Sequence, residues 1–246
     1  WGMNVRVPGQ DNLADFFVVI GVMGWYLWRR EHVAFARAGF SIAMTIAAVL
    51  APLQLLIGDQ HGLNTLRYQP VKVAAMEGDW ETQRGQPLVL FAWPDEATER
   101  NDYSLEIPKL GSEILTHDWN GEVEGLKAVA PSERPPVPYV FFAFRLMIGI
   151  WVVLFAITVI GAFLRWRGRL YDSRWFNIVC AFSSPLSFLA ILSGWTVTEV
   201  GRQPWIVYGH LRTADAVSPV AASAVKTSLA LFVIVYTVLL LAFFYY

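Results

Sequence analysis

Arg145 and Met147 lie two residues apart in a strongly apolar stretch, YVFFAFRLMIGI. A charged group in such a stretch is costly, so it either snorkels to an interface or has a task there. An ideal helix turns the two side chains about 200° apart. A long arginine can still reach the edge of a large flat ligand whose centre the methionine holds; for Met147 the plain alternative is packing. Glu199 closes a second apolar stretch, SGWTVTEVGRQPW. It follows Trp195 by four residues, so both share a helical face, and Arg202 three residues on can pair with it. The set reads as an interfacial Glu–Arg pair, or as a carboxylate that ligates or handles protons beside a cofactor. A third group, Gln69, Lys72 and Glu77, falls in the polar segment QPVKVAAMEGDWE. Pro70 can start a short helix there and Gly78 can end it. Gln69 and Lys72 then share a face, while Glu77 points about 140° from Lys72. Those two can address one ligand only if the helix bends or ends near Gly78; a solvated surface is the plain alternative. The four histidines, His32, His61, His117 and His210, fall in links and loops without metal-site spacing, and GDQHG at 58–62 carries a turn signal.

The elements that must hold these groups are apolar runs. The chain has 246 residues, 55% of them hydrophobic and 16% charged, with net charge −1 and eleven tryptophans. This composition excludes a disordered chain, a nucleic-acid binder and most soluble enzymes. One cysteine, Cys180, excludes a disulfide framework and a Cys-rich metal site. Apolar runs cover roughly 13–28, 38–58, 139–164, 175–198 and 225–246. The last four reach the roughly 20 residues that a helical span needs. The first is short but ends in Trp25, Tyr26, Trp28, Arg29 and Arg30, an interfacial signature. The expected fold is an all-α, polytopic membrane bundle of about five transmembrane helices with one long extracytoplasmic loop.

Charge is segregated. Residues 59–138 hold 14 of the 20 acids and 7 of the 19 basic residues. Arginines fringe the links 29–37 and 165–174, which places both links on the cytoplasmic side by the positive-inside rule. The acidic loop 59–138 and the link 199–224 then share the outer side. A connection as long as 59–138 is expected to be functional or partly mobile. The expected organisation is a segment 1–12 outside the pattern, two spans over 13–58, the loop 59–138, and three spans with the GRQPW turn over 139–246. The chain starts at Trp1, and the stretch 1–12 is neither signal peptide nor span. It reads as part of a longer membrane protein.

WYLWRREHVAFAR, GDQHG, QPVKVAAMEGDWET, FAFRLMIG and GWTVTEVGRQPWIVYGHLRT occur in this order. Together they resemble subunit I of the cytochrome bd-type quinol oxidases, including the cyanide-insensitive relatives, from about residue 13 to the end. The resemblance implies a quinol:oxygen oxidoreductase of the bacterial inner membrane that reduces dioxygen to water and contributes to the proton motive force. It implies a low-spin haem b, a high-spin haem b, and a haem d or further haem b. Met147 matches the methionine ligand of the low-spin haem iron, and Arg145 an arginine beside it. Glu199 matches the glutamate ligand of a high-spin haem iron, Trp195 a tryptophan between haems, and Arg202 a haem-contacting residue of the GRQPW turn. Gln69, Lys72 and Glu77 match the quinol-oxidising loop. Implied partners are an oxidase subunit II, a small accessory subunit, quinol, dioxygen and membrane lipid, with no nucleic acid.

The departures concern the other haem ligands. The family places one histidine ligand near its N-terminus and another just before WYL; alignment on Trp25 puts Arg6 near the second. The first four spans of the family pattern have no counterpart in these residues. By itself the chain is therefore expected not to assemble a competent oxidase. The alternative to a part of the enzyme is a non-catalytic membrane interaction module, or an inactive fragment, that keeps the family fold. A transporter reading, with Arg145 and Glu199 lining a path, lacks an inverted repeat to support it.

Overall fold

A computed structural model describes residues 10–217 and 220–245. Residues 1–9, with Arg6 and most of the 1–12 segment, lie outside the described residues. Helix α1 (Gln10–Arg29) covers the first apolar run, α2 (Val33–Tyr68) the second and α5 (Val137–Trp166) the third. The fourth run forms α6 (Arg174–Ala181) and α7 (Ser183–Gly201), and the fifth forms α8 (Ala222–Tyr245). Helix α2, helix α5, the α6–α7 unit and α8 are long and apolar enough to cross a membrane. Helix α1 is the fifth member of the bundle and packs against α2, α6 and α7. The chain is thus a mostly helical, polytopic membrane protein, as its composition predicts.

The core lies among α1, α2, α5 and α6. Phe17, Ile20, Phe40, Met44 and Phe176 are fully buried there. The fourth run breaks at Phe182 because Pro185 has no N–H for the Ala181 carbonyl. Serine hydroxyls near the break bond back to the helix: Ser183 Oγ donates to Cys180 O at 2.6 Å and Ser187 Oγ to Ser184 O at 2.7 Å. By contrast, none of the apolar window of α8 is buried against the rest of the chain.

The two arginine-bearing links meet at one end of the bundle. Arg37 pairs with Asp172 at 3.1 Å, and Arg165 donates to Thr45 Oγ1 and Ser41 O. The 59–138 segment and the 199–224 link meet at the other end, where Arg212 pairs with Glu133 at 2.8 Å. Two ends, each gathering the links expected of it, agree with the charge pattern.

One expectation about the long segment is corrected. GDQHG is not a turn: α2 runs through it to Tyr68, so His61 stands exposed on a helix rather than in a loop. Glycine costs about 1 kcal/mol per helical site. Burial repays it, because Leu66 packs against Val73, Leu115 and Val123. The segment also carries short strands. After α3 (Pro70–Glu77) come β1 (Gln83–Arg84), the antiparallel hairpin β2 (Leu88–Asp95) and β3 (Arg100–Ile107), helix α4 (Leu110–Thr116), and β4 (Glu122–Val123), which pairs with β1. The apolar run PLVLFAWP was the available strand signal. Phe91 and Trp93 of β2 pack on Phe142, close to the start of α5, and tie the hairpin to the bundle.

Candidate functional site

Helix α3 forms where the sequence predicts it. Pro70 occupies its first turn, and Gly78 ends it in the left-handed conformation at φ 76°. Its N-terminal half faces α7 and its C-terminal end faces α5, so Lys72 and Glu77 serve two different neighbours.

At the α7 side, Lys72 packs its stem 3.3 Å from the Cβ position of Gly201. Burial, and then the charge of Arg202, lower the Lys72 pKa from the usual lysine range, and Glu199 opposes them. Glu199 and Arg202 form the expected pair at 2.5 Å, both side chains about one-third exposed. The GRQPW turn continues into the short hairpin of β5 (Trp205–Val207) and β6 (Leu211–Arg212). Between α3 and this turn lies a cavity of about 10 Å³ lined by Gln69, Lys72, Glu133, Arg202, Gln203 and Tyr208 among others. It has room for about one water. Two buried polar atoms at this junction, Gln69 Oε1 and Arg202 Nε, have no protein partner.

At the α5 side, Arg145 gathers the C-terminal end of α3. Its guanidinium donates to Met76 O, to Glu77 O at 3.1 Å, to Glu77 Oε2 at 3.3 Å and to Val89 O of β2 at 2.5 Å. The Met76 and Glu77 oxygens are carbonyls that the end of a helix leaves without partners, at the negative end of its dipole. The guanidinium also lies 3.6 Å above the Phe141 ring. Arg145 therefore turns toward the polar segment, and only its Nε is buried without a partner. Burial pushes the Glu77 carboxyl pKa up, and Arg145 pulls it back.

One residue past Gly78 is Asp79, a site that local sequence patterns did not single out. It is 1% exposed. Gln86 Nε2 donates to its Oδ1 at 2.5 Å, and its Oδ2 is buried without a partner. Burial, with Glu77 next, raises its pKa to about 7.

Met147 and Arg145 point apart, as expected. Met147 Sδ lies 3.0 Å from the Cβ position of Gly194, so the thioether sits in a notch that α7 leaves by having no side chain there. Glu199 stands about 7 Å further along α7, toward α3. Trp195 shares the Glu199 face and is 63% exposed, turned away from the described bundle. Within one helix turn of Met147 on α5, the indole Nε1 of Trp151 is buried without a partner. Among the described residues, no three His, Cys, Asp or Glu side chains gather into a metal site. The structure thus brings Lys72, Glu199 and Arg202 together, and separately Glu77 and Arg145, with α3 as the bridge.

Residues 12–246 match the family described as cytochrome bd terminal oxidase subunit I. The chain belongs to that family. It is 32% identical over 235 residues to cytochrome bd ubiquinol oxidase subunit 1 of Bacillus subtilis, covering 91% of this chain and 50% of the relative. It is 28% identical over 292 residues to cytochrome bd-II ubiquinol oxidase subunit 1 of Escherichia coli, covering 91% and 56%. The bd oxidase structure from Geobacillus thermodenitrificans superposes with a TM-score of 0.80 at 33% identity, over 94% of this chain and 52% of that one. The chain spans about half the length of the relatives it matches. Family membership implies haem cofactors, and the residues present fit one side of such sites. A thioether free of polar contacts in a notch, a carboxylate one and a half turns away, and the unpartnered Trp151, Arg145 and Arg202 nitrogens form a suitable donor set.

Proposed function

We propose that this chain forms the quinol-facing part of a bd-type quinol:oxygen oxidoreductase in a bacterial inner membrane. The observation that carries the reading is the placement of α3. Its Lys72 packs against Gly201, between Glu199 and Arg202 in sequence, and its Glu77 pairs with Arg145, so α3 bridges the neighbouring ends of α5 and α7.

Gln69, Lys72 and Glu77 bind and orient the quinol head. Lys72, held toward its neutral form by burial and Arg202, donates a hydrogen bond to one quinol oxygen. Glu77, held toward its neutral form by burial yet paired with Arg145, exchanges a proton with the other side of the head. A cavity of about 10 Å³ does not admit a quinol ring, so α3 must part from the GRQPW turn for entry.

When bound, haem supplies the one-electron chemistry that takes electrons from quinol and delivers them to dioxygen. Met147 would hold the low-spin haem b iron, with Arg145, whose Nε is free, as the charged group beside it. Glu199 would hold a high-spin haem b or d iron, Trp195 would serve as the tryptophan of the haem region, and Arg202 fixes the carboxylate. Trp195, exposed on a spanning helix, and α8, unburied, meet the rest of subunit I, subunit II, an accessory subunit or lipid. The α3 end faces the extracytoplasmic side.

The test is made in the assembled oxidase. Lys72→Ala is expected to lower quinol oxidation at least tenfold while leaving the reduced-minus-oxidised haem spectrum intact. Wild-type oxidation by Lys72→Ala and by Glu77→Gln alike would overturn the assignment.

A further inference from the structure

We propose that Asp79 is a proton-relay carboxyl, accepting a proton released on the Glu77 side of the quinol site and passing it toward the outer water at Glu106. The inference rests on the quinol reading above and extends it to a residue outside the Gln69–Lys72–Glu77 set.

The geometry of Asp79 is that of a poised acid rather than of a structural one. A buried carboxylate that only stabilises a fold is normally paired or multiply hydrogen-bonded. Asp79 makes no ion pair among the described residues and receives one side-chain hydrogen bond, from Gln86. Its Oδ2 and the Gln86 Oε1 are both buried without partners. An amide can turn to offer either its NH₂ or its carbonyl, so Gln86 can serve the carboxylate and the carboxylic acid in turn. The backbone is held rigidly: Asp79 N–H donates to Ala74 O at 2.8 Å, and Leu126 N–H donates to Asp79 O at 2.8 Å.

The charged groups that act on it are Glu77 on α3, Arg145 on α5 and Glu106 on β3. Glu77 and Arg145 are largely buried and already paired with each other. Glu106 is exposed, and pairs in register with Val89, the residue whose carbonyl accepts from Arg145. Burial and the Glu77 and Glu106 charges raise the Asp79 pKa to about 7, while Gln86 and Arg145 lower it. A group with that affinity both takes and releases protons near neutrality.

The balance is simple. Quinol oxidation yields two electrons, taken by a haem-class acceptor, and two protons. One quinol O–H bond breaks as its proton forms an O–H bond on the Asp79 carboxylate; the second O–H bond breaks with its proton passing to bulk water. The Asp79 O–H bond breaks when the proton leaves by way of Glu106 to water, restoring the carboxylate.

The experiment uses the assembled oxidase with a short-chain ubiquinol as electron donor, in wild type, Asp79→Asn, Asp79→Glu and Glu106→Gln. Infrared difference spectra should show a protonated-carboxyl C=O band that titrates near pH 7 in wild type and is absent in Asp79→Asn. Quinol oxidation in Asp79→Asn should fall at least tenfold and lose its dependence on pH around neutrality, with the haem spectrum retained; Asp79→Glu should restore both. Persistence of the band in Asp79→Asn, or wild-type rates and pH profile in that variant, would overturn the relay alone. If Asp79→Asn fails to assemble, Glu106→Gln decides: a shifted pH profile supports the path, an unchanged one overturns it. A wild-type oxidase unable to oxidise the quinol would sink the functional reading, and the relay with it.

Discussion

Arg145, on a membrane-spanning helix, binds Glu77 twice: its guanidinium donates to the side-chain carboxylate at 3.3 Å and to the backbone carbonyl at 3.1 Å. One arginine thus closes the C-terminal end of α3 and pairs its last acidic residue. The contact joins residues 68 apart in sequence and ties the polar segment to the bundle.

Removing that tie should loosen the segment. Arg145→Ala leaves the Met76, Glu77 and Val89 carbonyls without their donor and the Glu77 carboxylate unpaired. Breaking a largely buried pair costs about 3–5 kcal/mol. Hydrogen exchange in α3 and β2 should rise by two orders of magnitude or more, while α1 and α2 stay protected. Arg145→Lys should recover only part, since one ammonium cannot serve four acceptors in a fork.

Asp79 makes the same segment sensitive to pH. Its pKa is about 7 in the fold, against 3.8 for a free aspartate. The folded state therefore binds more protons than the unfolded one between those values, and stability falls as pH rises from about 4 through 7. The full effect is on the order of 4 kcal/mol. Exchange at the Leu126 amide, which bonds Asp79 O, should accelerate across that window beyond the intrinsic rate. Asp79→Asn should remove the extra acceleration.

The notch at Gly194 offers a test of the thioether without deleting it. A Cβ there would meet Met147 Sδ at 3.0 Å, tighter than ordinary contact. Gly194→Ala should push the sulfur aside by a few tenths of an ångström. In the assembled oxidase this is expected to shift the low-spin haem band and its midpoint potential while leaving the high-spin signal in place. An unchanged low-spin band would argue that Met147 is no iron ligand.

The two proposed ligands should separate spectroscopically. Met147→Leu keeps volume and is expected to abolish the low-spin signal. Glu199→Ala is expected to disturb the high-spin spectrum more, and to release Arg202 from its 2.5 Å pair. Equal effects of both variants on both signals would remove the division of roles.

Much of the molecule was legible residue by residue. The apolar runs that form α2, α5, α6–α7 and α8 can be read directly, because a span must be long and apolar whatever surrounds it. Helix α3 was legible too: Pro70 and Gly78 mark its ends by backbone constraints that need no neighbour. So was the Glu199–Arg202 pair, whose spacing of three residues puts both on one helical face.

Tertiary structure decided the rest. GDQHG became helix because Leu66 found a buried cluster beyond it, which local glycine content could not foretell. Lys72 and Glu77 were divided between α7 and α5 by where α3 landed, and Arg145 was turned to the polar segment by three carbonyls far away in sequence. Asp79 was one acid among 14 in its segment until burial, Gln86 and Glu77 set it apart. Local pattern determines which backbone can form. The partner of a charge depends on desolvation and on contacts tens of residues distant, which exist only once the helices have packed.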